Sequence, residues 1–170
     1  MRGLAVSFLL LLGAAIARAQ APAPRGPGDL VPPLVLQDVA GGTHDLAAAI
    51  AKGPVVLFFW SVYCPNCKEA MPGLVALHGK WGGRGLTVWA INVDGDRFSN
   101  AVRAYVDEMA LPFPALYDRL EGEYLVAADP LGVSKTPTIF LIDGEGRIVL
   151  RQTVDVDYDA LATSVASQLR

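Results

Sequence analysis

Residues 60–72 read W-S-V-Y-C-P-N-C-K-E-A-M-P and hold both cysteines of the chain, Cys64 and Cys67, separated by a proline and an asparagine. A pair so spaced serves thiol–disulfide exchange, half of a metal site, or a structural staple, and the flanking sequence discriminates among them. Ahead of it, V-V-L-F-F-W (55–60) is an unbroken apolar run of β-branched and aromatic residues, the pattern of a strand buried on both faces. Behind it, from about Pro65 to Trp81, Met71, Leu74, Val75, Leu77 and His78 recur at helical spacing. Pro72 is expected to kink that helix.

Cys64 therefore stands where a buried strand gives way to a helix, beside unpaired backbone N–H groups and the positive end of the helix dipole. Such a place lowers a thiol pKa from ~8.5 into the range ~3.5 to 7.5, and the thiolate is the nucleophile. Cys67, one turn further on, is in reach as the resolving thiol. Pro65 suits the first helical turn, where no N–H partner is needed. The chemistry expected is attack by Cys64 on a disulfide, followed by attack of Cys67 on Cys64 to release the reduced partner.

The N-terminus bears on the compartment. Arg2 precedes a nearly continuous apolar run from Leu4 to Ile16, and Ala17-Arg18-Ala19 is a small-x-small cleavage signal. Residues 1–19 read as an export signal, with a second cut after Ala21 as the alternative. The run is shorter than the ~20 residues that span a bilayer, so a membrane tether is expected only if the segment stays uncleaved. No cysteine follows it to carry a lipid. The protein is thus expected to be periplasmic or otherwise extracytoplasmic. Residues 20–29, Q-A-P-A-P-R-G-P-G-D, are too rich in Pro and Gly to pack a core and read as a flexible lead. Residues 30–170 form one domain, long enough to bury a core without disulfide scaffolding. A staple closed over two residues removes little unfolded-chain entropy, which weakens that reading.

The formal charge is −3, and loss of Arg2 and Arg18 with the leader takes it to −5, which argues against a nucleic-acid partner. Further along, L-T-V-W-A-I-N-V-D (86–94) is a second buried strand, followed by a helix from about Ser99 to Leu111 capped by Ser99 or Asp96. P-F-P-A-L-Y-D (112–118) is a short strand, and the stretch 121–133 is expected to include a short helix ended by Asp129-Pro130. T-I-F-L-I-D (138–143) and R-I-V-L-R-Q-T (147–153) form a hairpin around G-E-G, and a helix from Tyr158 to Leu169 is capped by Asp155 or Asp157. Another hairpin turns at Gly41-Gly42. The fold class is α/β, a mixed sheet flanked by helices.

The motif F-W-S-V-Y-C-P-N-C-K-E-A-M-P, the kinking Pro72, the I-N-V-D strand end (91–94), the insertion around 112–128 and G-V-S-K-T-P-T-I-F-L-I-D-G-E-G-R-I-V (132–149) together resemble the thioredoxin superfamily, in its exported TlpA/ResA-like branch. The resemblance covers nearly the whole domain. It implies a thioredoxin-like fold with an N-terminal hairpin and a central insertion, and thiol:disulfide oxidoreductase activity with Cys64 and Cys67 as catalytic residues. It makes Pro137 the family's cis-proline, with Thr136 offering backbone hydrogen bonds to a substrate strand. Tyr63 and Pro65 are placed on the substrate-contact surface. No cofactor and no metal are implied. The partners implied are protein disulfides, such as those of apocytochrome c or a copper-site protein, and a membrane electron donor of the DsbD/CcdA kind, with reduction favoured over oxidation. Two departures stand out: Phe58 occupies the place of a buried Asp in thioredoxin, and Ala70 that of a Glu in ResA-like chains. Glu69, one residue earlier, is expected to face water, because one residue turns a helix by about 100°.

The main rival is a copper chaperone using the two thiolates. A closed zinc site needs two further ligands, and only His44 and His78 are available; His44 reads as ordinary surface and His78 as a packed helix residue. Haem attachment fails because Lys68 follows the second cysteine. A peroxidase would need a different helix-opening cysteine motif.

Overall fold

The computed structural model describes residues 23–95 and 98–169. The leader, residues 1–19 with its second cut site, lies outside the described residues, as does Asp96. At the centre runs β3 (Val55–Trp60), every residue of which is buried. It pairs in parallel with β4 (Thr87–Asn92), which pairs in parallel with β5 (Ala115–Tyr117). On its other side β3 pairs antiparallel with β8 (Thr138–Ile142), and β8 with β9 (Ile148–Thr153). A hairpin of β1 (Val35–Asp38) and β2 (Thr43–Asp45) closes the far edge, giving the order β2-β1-β5-β4-β3-β8-β9. Gly41, at φ +92°, supplies the left-handed turn that the hairpin needs.

Side chains alternate along a strand, so β3 feeds two cores. Val56, Phe58 and Trp60 pack under the α2 (Pro65–Trp81) face with Met71, Leu74 and Leu161. Val55, Leu57 and Phe59 pack on the opposite face with Leu36, Trp89, Leu131 and Phe140. Each such side chain contributes about 1.5–3 kcal/mol on burial, so an all-apolar strand is the natural spine. The remaining α-helices among the described residues are α3 (Ser99–Met109) and α4 (Tyr158–Gln168), besides a five-residue α1 (Leu46–Ile50) that the sequence pattern does not signal. Asp45 caps α1 and Asp157 caps α4.

Two expectations are corrected. Helix α3 begins at Ser99, so Ser99 is not its cap; Phe98 holds the cap position and makes no side-chain hydrogen bond there. The short helix expected before Asp129 is absent. Instead β6 (Leu120–Glu121) and β7 (Tyr124–Leu125) form a small hairpin, and residues 126–132 are turns. The buried Asp118 carboxylate accepts the N–H groups of Ala127 and Ala128, both at 2.8 Å, in place of a helix's own carbonyls. Residues 23–29 of the lead contact the domain. Arg25 bonds through its side chain to the carbonyls of Pro130 and Leu30, and its own carbonyl accepts from Arg151 at 2.6 Å. A segment with no core side chains is thus held through its backbone and one arginine.

Candidate active site

Cys64 is the N-cap of α2, with extended backbone (φ −97°, ψ 105°), and its sulfur accepts the N–H of Cys67 at 3.1 Å. The two cysteines form a disulfide with Cα atoms 5.2 Å apart. They are unequal. Cys64 is partly exposed, whereas Cys67 is 1 % exposed and lies in the apolar cluster of Phe58, Trp60, Ala70 and Met71. Only Cys64 can meet a bulky partner. Pro65 occupies the first helical turn and is exposed.

The loop that delivers Cys64 is tied to the end of β4 by a residue that the sequence reading treated only as a strand end. The Asp94 carboxylate accepts the Ser61 hydroxyl at 2.5 Å, the Val62 N–H at 2.8 Å and the Asn92 side-chain amide at 2.7 Å. The Ser61 oxygen in turn accepts the N–H of Tyr63 at 3.1 Å. The signal was available in the polar Asn92 and Asp94 at the end of an apolar strand. Tyr63 is 66 % exposed and stands edge-on to Phe98 at 5.3 Å, so the approach to Cys64 is rimmed by aromatic surface.

Register brings the proline loop to the same end of the sheet. Phe59 pairs with Thr138, which sets Thr136 and Pro137 opposite the end of β3, where the Cys64 loop begins. The Thr136–Pro137 peptide bond is cis. Pro137 is buried and Thr136 half-buried. The Thr138 hydroxyl donates to the Lys135 carbonyl at 2.7 Å, and the Pro137 carbonyl accepts the N–H of Val154 at 2.8 Å. Val154 has φ +70°, and Asp155 N–H bonds back to the Thr153 carbonyl at 2.9 Å, so residues 153–155 make a tight three-residue turn.

At the places of the two missing carboxylates the site is dry on one side and open on the other. Phe58 is fully buried. Ala70 borders a cleft of about 360 Å³ whose walls include Asn66, Glu69, Asp155 and Tyr158. Glu69 is exposed. The histidines stand apart from the cysteines. His78 lies in the second half of α2, edge-on to Phe113 at 5.5 Å. His44, expected as ordinary surface, is bonded to Asp38 at 2.6 Å and stands edge-on to Trp89. Desolvation of Asp38 is outweighed by the hydrogen bonds from His44, Gly42 and Ala40, which hold its carboxyl below the usual value.

Comparison with known proteins agrees with this geometry. The chain is 34 % identical over 115 residues to thiol-disulfide oxidoreductase ResA of Halalkalibacterium halodurans, covering 68 % of this chain and 61 % of that protein. It is 33 % identical over 122 residues to the ResA of Bacillus thuringiensis, covering 72 % and 66 %. Less than two thirds of either relative's length is spanned. In fold it resembles the thioredoxin domain of a thiol-disulfide oxidoreductase from Bacteroides vulgatus, with a TM-score of 0.72 at 19 % identity over 85 % of this chain and 98 % of that one. The model of the AhpC/TSA family matches residues 27–151. With that match spanning most of its length, the chain belongs to the AhpC/TSA family of the thioredoxin superfamily.

Proposed function

We propose that this protein is an exported thiol-disulfide oxidoreductase that reduces selected protein disulfides. The observation that carries the reading is the asymmetry of the Cys64–Cys67 pair, one cysteine partly exposed at a helix N-terminus with an amide aimed at its sulfur, the other buried one turn behind. In the reduced protein, the Cys64 thiolate attacks one sulfur of a substrate disulfide, and the other substrate sulfur leaves as a thiolate. Cys67 then attacks Cys64, the second substrate sulfur leaves, and two electrons have passed to the substrate. The product is the Cys64–Cys67 disulfide.

Tyr63, Pro65, Thr136 and Pro137 form the contact surface in this reading, the aromatic rim and the backbone of the half-buried Thr136 accepting an extended substrate segment. Apocytochrome c or a copper-site protein outside the cytoplasm is the substrate class in this reading. Re-reduction requires a thiol donor, for which a membrane protein of the DsbD/CcdA kind is the natural source. The export leader of residues 1–19 supports the location.

The test is mechanism-based trapping with a disulfide-bonded protein substrate. Cys64→Ala is expected to abolish turnover, and Cys67→Ala to accumulate a mixed disulfide at Cys64. Undiminished turnover in both variants sinks the proposal. The reduction potential, from alkylated thiols counted in glutathione buffers, assigns direction: near about −270 mV for a reductase, nearer about −120 mV for an oxidant.

A further inference from the structure

Helix α2 carries Pro72 and Gly73 in its middle, a combination that weakens a helix twice over. The structure gives both residues a use. Pro72 has no N–H for the Lys68 carbonyl, which opens the ladder between the first two turns and the rest. Beside that opening stands Tyr158, the first residue of α4. Its hydroxyl donates to the Ala70 carbonyl and lies beside the N–H of Leu74. In an undisturbed helix those two groups, four residues apart, bond to each other. A side chain that competes for a ladder carbonyl is a recognised cause of helix bending. Gly73 admits it: a Cβ there would lie 2.5–2.8 Å from the Tyr158 ring.

The Cys64–Cys67 geometry is thereby held from two directions. The Cys64 loop is fixed to β4 through Asp94. The turns bearing Cys67 are fixed to α4 through Tyr158. The Cys67 N–H meets the Cys64 sulfur where these two anchors place it. We propose that Tyr158 is a positioning residue for the cysteine pair, its hydroxyl wedged between Ala70 and Leu74 setting the angle at which the first turns of α2 present the Cys67 amide to Cys64. The inference rests on the redox reading of the pair.

Removing the hydroxyl frees the Ala70 carbonyl from α4, lets the first turns move away from the β4-anchored loop, and weakens the amide's hold on a Cys64 thiolate. A less stabilised thiolate titrates higher and makes the couple more reducing. The experiment measures, for the wild-type protein, Tyr158→Phe, Gly73→Ala and their double variant, the pH titration of Cys64 alkylation and the equilibrium constant with glutathione. Gly73→Ala displaces the ring and so removes the same wedge. Each single variant is expected to raise the Cys64 titration midpoint and shift the equilibrium constant at least threefold toward more reducing, about 14 mV at ~30 mV per tenfold. The double variant adds nothing further, because one wedge is removed either way. Leu161→Val, a buried change elsewhere on α4, lowers the thermal midpoint without moving either redox readout. Unchanged or lowered Cys64 titration in Tyr158→Phe and Gly73→Ala, or an equal shift in Leu161→Val, overturns the proposal. Lack of any reversible couple in the wild-type protein overturns the redox reading itself.

Discussion

Val154 donates its backbone N–H to the Pro137 carbonyl at 2.8 Å from a backbone turned to φ +70°. For a β-branched residue this is a strained conformation, costing on the order of 1–2 kcal/mol. It is retained where β9 meets the proline loop, so the tight turn and the loop hold one another. Glycine at 154 would keep the N–H and lose the strain, although it adds unfolded-chain entropy of roughly 0.5–1 kcal/mol. Val154→Gly is therefore expected to match or exceed the wild-type stability by up to about 1 kcal/mol in denaturant melts. Val154→Ala retains the strained Cβ and gains nothing. A Val154→Gly variant less stable than Val154→Ala would show that the backbone is not strained there.

Asp94 gathers three donors within 2.8 Å, and its removal leaves the Val62 N–H and the Ser61 hydroxyl in search of partners. Asp94→Ala is expected to destabilise the fold by about 1–3 kcal/mol. Because the loop it ties carries Cys64, the alkylation rate of Cys64 changes as well. Wild-type alkylation kinetics in a destabilised but folded variant would assign Asp94 a purely structural part.

Ala70 faces a cleft with room for a larger side chain. The Cys67 thiol, enclosed by apolar groups, has no carboxylate from Phe58 or Ala70 to take its proton. Ala70→Glu is expected to speed resolution of a preformed Cys64 mixed disulfide by severalfold below pH 8, measured by stopped-flow release of a chromophoric thiol. An unchanged rate would mean that water already suffices as the acceptor.

Burial raises the Asp118 carboxyl to about 6, against hydrogen bonds from Ala127 and Ala128 that favour the charged form. The folded protein then holds a proton that the unfolded chain, with a normal value of 3.8, has released. Its contribution to stability is fully present below 3.8 and is lost as pH rises through about 6. Denaturant melts between pH 4 and 7 should show this component in the wild type and not in Asp118→Asn. If both proteins follow the same pH curve, Asp118 is ionised throughout and its two N–H partners outweigh its burial.

Much of this was legible in the sequence, for identifiable reasons. Strands β3, β4 and β8 are largely apolar runs whose burial on the sheet leaves little choice of structure, and the cysteines at the end of β3 mark their own helix start. The turns in the 121–133 stretch are not legible because Ala127 and Ala128 look helical locally, while the carboxylate that takes their amides lies nine and ten residues away. Tyr158 reads as a helix start, and its partner Ala70 is 88 residues distant. Gly73, an unfavourable residue in an otherwise good helix, was the trace of that contact in the sequence. Asp94 was similarly visible as a residue type and silent as to its role, since its partners Ser61 and Val62 belong to another strand's end.

The docking of Arg25 has a mechanical consequence. Its backbone N–H bonds the Leu131 carbonyl, its side chain the Pro130 carbonyl, and Arg151 clamps its own carbonyl together with those of Leu131 and Gly132. Any pull exerted from upstream, by a retained leader or a neighbouring surface, is applied at this pivot. The load passes into residues 130–132, which lead to Thr136, and through Arg151 into β9, so a leash on this chain would tug at the loop before Pro137 and not directly at the cysteine helix.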